Sequence, residues 1–420
     1  MEWVLHGAPA PQPREEGCFG FDDRGARSWR TLPTAELGCN ASCVGRRACR
    51  ECRCALCGAC VPPENVWYSR ASGAVHAITT DTQPRFVFAF QPLDPDMERM
   101  RRKVVLEPLL TLAWQEAIRS CCRQPAALVV DVGGNFGWYT LYSVALGCDV
   151  VVFEPASAWQ KILRLGLALN PGFSSKVRVY PNVVYNRPGN YSLKVPRPRK
   201  GVLLGMTGMV GSAGLMKGYA GKQWADTEQA SAVRIDDLVQ RDVCMLKVDV
   251  EGYEPQVFET STNLLRRFAV PALQLELTKG YLLLRDKYSA ALSAQTCMQL
   301  RMLAFLDAHG YELRQAGHSA VDHVAMPSGS WEGYEVWDKL SPLPSRRAEA
   351  LAKKLGQHRM VVAFFEDIKS YSTNIVARRH EDGRRRDISW PAESPKEAQM
   401  TAAQCVQGVV NNRQARKEPS

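Results

Sequence analysis

No apolar stretch in this 420-residue sequence reaches the roughly 18 to 20 residues that a bilayer-spanning helix needs. The best candidate, near Val104 to Ala117, is interrupted by Glu107 and Gln115, which excludes a span there. The opening run MEWVLHGAPAPQPREEG has neither the charged n-region nor the apolar h-region of a secretory signal. The expectation is a protein that stays inside the cell, or a chain whose true start lies upstream. Internal repeats and long low-complexity tracts are missing too, so the chain does not read as a repeat array.

What is present reads as an ordinary globular protein, with 45% hydrophobic and 23% charged residues and ample material for a core. The length exceeds the usual roughly 100 to 200 residues per domain, so one sizeable domain with appendages is expected. A net charge of +10 favours anionic partners or membrane surfaces, but such an excess in a long chain says little about mechanism. The basic clusters at Arg46 to Arg53, Arg99 to Lys103, Arg197 to Lys200 and Arg384 to Arg386 read as solvated surface and flexible tails.

Cysteine divides the chain: eight of fourteen fall at Cys18, Cys39, Cys43, Cys49, Cys52, Cys54, Cys57 and Cys60, and the other six look scattered. The N-terminal set reads as a small disulfide-stapled module of an oxidising compartment. Alternatively, Cys49-x-x-Cys52 and Cys57-x-x-Cys60 have the gaps of a zinc knuckle, or the segment stays reduced and unstructured. The sequons at Asn40 and Asn190 agree with a lumenal protein. The compartment is therefore a secretory lumen such as the Golgi if the true start lies upstream, and the cytoplasm otherwise.

Four regions are expected: a Cys-rich segment 1–66, a lead-in 67–125, a main domain 126–380 and a disordered basic tail 381–420. The lead-in holds a β-like run at Arg85 to Phe90 and helical patterning from Met97 to Ile118, which Pro108 breaks because its ring cannot continue a helix. Its last helix runs from about Leu109 to Cys121. Strand, glycine turn, helix and strand then alternate from Ala126 onward, the signature of a parallel sheet with crossover helices. Apolar β-type runs stand at Leu128 to Val132, Asp149 to Phe153, Val177 to Tyr180, Met245 to Val250 and Ala272 to Leu277. A helix carrying Trp159, Ile162, Leu163 and Leu167 joins the second and third. A helix from about Ala290 to His309, a strand starting at Gly310 and a final run at Ser372 to Ala377 make seven strands in all.

The most informative string is VVDVGGNFGWYT, in which a strand delivers Asp131, Gly133, Gly134, Asn135 and Gly137 into a tight turn before a helix. Glycines there let backbone approach a ligand closely. The next strand ends at Glu154, 23 residues after Asp131, where a carboxylate would meet a ribose diol across the crevice. A dinucleotide site would carry G-x-G-x-x-G, which is lacking. An acid such as Asp131 suits the ammonium of a methionine moiety and would repel a pyrophosphate. The nucleoside expected is therefore S-adenosylmethionine rather than NAD.

A second string, LKVDVEGYE at Leu246 to Glu254, follows IDDL at Ile235 and precedes LQLE at Leu273. In this order the motifs resemble the FkbM-type methyltransferases, over about Leu128 to Arg378. The resemblance implies a class I methyltransferase fold: α/β, Rossmann-like, with helices on both faces of a seven-stranded, mostly parallel sheet. It implies that Asp131, Gly133, Asn135, Gly137 and Glu154 hold S-adenosylmethionine. Asn186, where an Asp is more usual, would contact adenine. It also implies a hydroxyl acceptor on a sugar or natural product.

Methyl transfer needs the acceptor oxygen, methyl carbon and sulfur aligned, and the acceptor proton removed. Period-2 alternation sends Lys247, Asp249 and Glu251 to one side of the fourth strand, whose carboxyl end is where ligands sit in open α/β sheets. Asp249 is the expected base or acceptor-orienting group, Lys247 holds it ionised, and Glu251 or Glu254 binds acceptor hydroxyls. No metal is expected. Two other classes remain: a scaffold that holds a partner on the same fold, and a nucleic-acid methyltransferase. The latter is disfavoured because acidic DVEGYE stands where an NPPY-type loop would be.

Overall fold

The computed structural model describes residues 4–5, 17–21, 27–31, 66–69, 73–91, 97, 100, 104–196, 208–209, 225–278, 298–299, 302–303, 305–307, 309–316, 326–327, 329–343 and 372–379. Cys39, Cys43, Cys49, Cys52, Cys54, Cys57, Cys60, the Asn40 sequon and the tail 381–420 lie outside the described residues. The principal elements are β1 (Val66–Ser69), β2 (Gly73–Thr79), β3 (Val87–Phe90), α1 (Pro108–Ile118), β4 (Leu128–Val132), α2 (Trp138–Ala145), β5 (Asp149–Phe153), α3 (Ser157–Leu169) and β6 (Val177–Tyr180). They continue with β7 (Asn190–Pro196), β8 (Ala225–Val233), α4 (Ile235–Leu238), β9 (Met245–Val248), α5 (Glu254–Thr260), α6 (Thr262–Arg267), β10 (Ala272–Thr278), β11 (Tyr311–Ala316), β12 (Ser341–Leu343) and β13 (Ser372–Arg379).

The central sheet has eight strands in the order β12-β11-β13-β10-β9-β4-β5-β6. The run from β10 to β6 is parallel. β13 enters antiparallel between β10 and β11, and β12 closes the edge antiparallel to β11. The sequence gives seven strands, and β12 corrects that number: three residues with Pro342 at their centre are too short to show a period. Strand order reverses around β4, between β5 and β9, which places a crevice at the carboxyl ends of these strands.

β4 is buried along its whole length, as a continuous apolar run in a sheet covered on both faces must be. Val129, Val150, Val152 and Met245 share one core with residues of α1, α2 and α3, whereas Val130, Val132, Leu246, Val248, Leu273 and Leu275 share another with α4, α5 and α6. Part of the helix expected over Ala290 to His309 lies outside the described residues. Met302, Leu303, Phe305 and Leu306 are helical and buried in the second core.

The lead-in belongs to the first core. Phe86 and Phe88 of its strand region meet Trp138 of α2 edge-on at 5.3 and 5.1 Å. Asn170 pairs with both backbone groups of Val87 at 2.8 and 2.7 Å, as a neighbouring strand would. Pro108 divides the helical pattern as expected: Met97 and Met100 are helical, Val104 to Glu107 form a turn, and Pro108 opens α1, where the amide hydrogen it lacks would be unsatisfied in a first turn anyway.

Four cysteines that look scattered in the sequence meet at the foot of α1. Cys121 is bonded to Cys244 and Cys122 to Cys148. Cys148 and Cys244 stand immediately before β5 and β9, so two adjacent residues grip the amino ends of the two strands that flank β4. Replacing Cys122 and Cys148 together by serine is expected to cost about 2–4 kcal/mol of stability through the freed unfolded chain. Denaturant melting would show it, and an unchanged midpoint would mean that the bridge is not formed.

Candidate active site

Behind β4 the chain turns sharply and folds back over β5, with the Gly133 and Gly134 amides both donating to the Phe153 carbonyl at 2.9 and 3.1 Å. Gly133 has φ 84°, and a Cβ there would stand 1.9 Å from the Asp249 carbonyl. Only glycine lets this loop lie against the end of β9. Asn135 is left-handed without being glycine, at φ 48°. Its amide is held by Glu154 Oε2 at 2.8 Å, while Glu154 Oε1 accepts from the Ala156 amide at 2.8 Å. Glu154 is thus a buried brace under the loop.

Asp131 and Lys247 are register partners on adjacent strands, and Gln274 on β10 is the next in the same row. All three are buried on the face that α1 and α2 cover. Lys247 Nζ lies 3.4 Å from Asp131 Oδ1, 3.4 Å from Asp249 Oδ2 and 3.1 Å from the Gly133 carbonyl. Thr140 donates to Asp131 Oδ2 at 2.7 Å. Burial would push the Lys247 ammonium down, but Asp249, Asp131 and Glu107 outweigh it and raise its pKa above the ordinary lysine value. Burial raises the Asp131 carboxyl against the pull of Lys247 and Thr140.

Asp249 is the partly open member of this group, with a side chain 35% exposed. Carboxylate oxygens of Asp249, Glu251 and Glu276 lie within 4.8 Å of one another. Such a set offers hydrogen-bond acceptors for a polyol and the hard oxygen ligands that a divalent cation takes. Glu254 is fully buried and accepts from the Gly252 and Val250 amides at 2.9 and 3.3 Å, so it fixes its own turn. Asn186 sits on the turn between β6 and β7 and donates to Glu259 Oε2 at 2.6 Å.

The structure thus gathers Asp131, Gly133, Lys247, Asp249 and Glu251 at one crevice, with Glu154 bracing the Asn135 turn, Gly137 capping α2, and Asn186 held by α5. Thr140, Tyr139, Gln274, Glu276 and Glu107 are given no site role by the sequence. The alternation of LQLE puts Gln274 and Glu276 on the face of Lys247 and could have found them. Thr140 was visible as a polar residue in an otherwise apolar helix start. Glu107 has no sequence signal, because it arrives from another element.

Comparison with known proteins adds a likeness to a family. Residues 131–313 match the methyltransferase FkbM domain. Comparison with curated protein sequences gives no match. Among solved structures, methyltransferase FkbM from Methylobacillus flagellatus KT is similar at 16% identity and a TM-score of 0.30 over 46% of this chain, and the likeness spans only 40% of that protein's length. An O-methyltransferase from Bacillus cereus, solved in complex with SAH, is similar at 12% identity and a TM-score of 0.30 over 50% of this chain and 76% of its own.

Burial lifts the Glu154 and Glu254 carboxyls from 4.5 to about 7, in spite of the backbone amides that each accepts. A carboxyl that holds its proton more tightly in the folded state adds stability below its unfolded value and loses it as pH rises through the folded one. The melting temperature of the wild type relative to Glu154→Gln is therefore expected to fall between about pH 5 and about pH 8. A gap that is constant or widens with pH contradicts the assignment.

Proposed function

We propose that this chain, whose residues 131–313 match the methyltransferase FkbM domain, moves a methyl group from S-adenosylmethionine to a hydroxyl oxygen of a sugar, glycan or other small molecule. The observation that carries this reading is the Lys247 ammonium clasped by Asp131 and Asp249 beside the glycine loop, at the reversal of strand order.

The residues fit the donor. Because the Asn186 amide nitrogen must face the Glu259 carboxylate, its oxygen is fixed on the other side, where it is buried without a partner. A neutral acceptor of this kind suits the exocyclic amine of adenine, and the acidic crevice suits a sulfonium and an ammonium. When bound, S-adenosylmethionine supplies a methyl carbon that is electrophilic because its sulfur is cationic.

Asp249 would accept a hydrogen bond from the acceptor hydroxyl and take up its proton, while the bound donor would supply the methyl group and keep the sulfur it leaves. Lys247 stays an ammonium and orients Asp249, so it does not serve as the base. Glu251 and Glu276 accept from neighbouring hydroxyls of the acceptor. This acidic mouth would repel a phosphate backbone, which supports a polyol over a nucleic acid.

Calorimetric titration is expected to show binding of S-adenosylmethionine and none of NAD. Asn186→Ala should weaken the donor about tenfold, the worth of one buried hydrogen bond. Asp249→Asn should bind the donor normally and lose about a hundredfold or more in kcat, as loss of general base catalysis does. No donor binding by the wild type would favour a scaffold, and full turnover by Asp249→Asn would remove its role.

Two disulfides support work in an oxidising compartment, where such bonds persist. Asn190, the first residue of a sequon and exposed at the start of β7, is then open to N-glycosylation. Intact mass of protein from its native source is expected to show bridged cysteines and a glycosidase-sensitive increment on Asn190. Free thiols at Cys121, Cys122, Cys148 and Cys244 would refute this compartment.

A further inference from the structure

Lys247 feels a third carboxylate that lies outside the methyltransferase domain. Glu107 is the residue before α1, the position whose side chain ordinarily caps the first turn of its helix. It makes no such cap and adopts a left-handed φ of 41°. Its carboxylate instead accepts from the Tyr139 hydroxyl at 2.8 Å. The Tyr139 ring lies under the Lys247 ammonium, 5.6 Å from ring centroid to Nζ. A non-glycine residue held left-handed, with a capping bond forgone, costs free energy that the surrounding structure must impose.

The build of α1 explains how that residue is delivered. Its 11 residues span about 16 Å as a helix. The stretch from Cys244 to Asp249 spans about the same length as a strand. The foot of α1 is bonded through Cys121 to Cys244, and its head carries Glu107. The helix is thus a bracket fastened to the same strand that holds Lys247 and leads into Asp249.

We propose that Glu107 is a positioning residue of the active site: by holding the Tyr139 hydroxyl it sets the ring against Lys247 and so fixes Lys247 between Asp131 and Asp249. This rests on the function proposed above. Tyr139 acts as donor to Glu107, since burial and then the Glu107 charge raise its pKa well above the ordinary tyrosine value. A segment that precedes the family domain therefore completes its catalytic group.

The test is a double-mutant cycle of Glu107→Gln and Tyr139→Phe in the full chain, with kcat, KM, donor affinity by calorimetry and melting temperature measured for each. Donor affinity should stay within about twofold, while each single variant loses roughly tenfold to a hundredfold in kcat, the size of effect that a slightly misplaced reacting group produces. The double variant should lose no more than the worse single one, because both remove the same link. If Glu107→Gln does not fold, Tyr139→Phe, which deletes only a hydroxyl, decides the matter by its kcat and donor affinity. Unchanged kcat, effects that multiply in the double variant, or a loss confined to donor binding would overturn the proposal while leaving the proposed function standing. A wild type that binds the donor and turns over no hydroxyl acceptor would overturn both.

Discussion

A lysine ammonium buried in a sheet must be paired, because an isolated charge out of water costs far more than a domain's net stability. Most of the site follows from how the chain meets that demand at Lys247. Asp131 from β4, Asp249 past the end of β9 and the Gly133 carbonyl surround it at 3.1–3.4 Å. Asp131 needs a further donor and finds it in Thr140 of α2. The loop can place its carbonyl there only because residue 133 has no Cβ to strike Asp249. One buried cation thus ties the glycine loop, two strands and a helix into a single arrangement, open to solvent chiefly at Asp249.

The same demand explains why the region before residue 126 shares a core with the sheet. α1 lies over β10 and β13, its foot is bonded to two strand ends and its head reaches Tyr139. A cover that slid or frayed would admit water to Lys247 and weaken each charge interaction beneath it. Covalent fastening at the foot holds the head in register without adding polar groups to the core.

Much of the fold is legible in the sequence because it depends on local repetition. The apolar run of β4, the amphipathic spacing of α3 and the glycine turn between β4 and α2 each state their structure within a dozen residues. The strands β11 and β13 are visible for the same reason, whereas β12 is hidden by its length and its proline. In the site, Asp131, Lys247 and Asp249 are legible because strand alternation and strand ends predict their side. Glu154 was legible as a carboxylate just past the end of β5, and only the structure assigns it to the Asn135 and Ala156 amides.

The sequence by itself determined the α/β class, the parallel core, the glycine loop and the acidic end of β9, since period and composition act over short stretches of chain. Tertiary structure alone decided what meets across distance. It paired Cys121 with Cys244 and Cys122 with Cys148, brought Glu276 to Asp249 and Glu251, turned Glu254 inward, and set Glu107 on Tyr139. Those contacts depend on where whole elements dock, and docking is settled by the packing of two cores against one sheet, which no local pattern encodes.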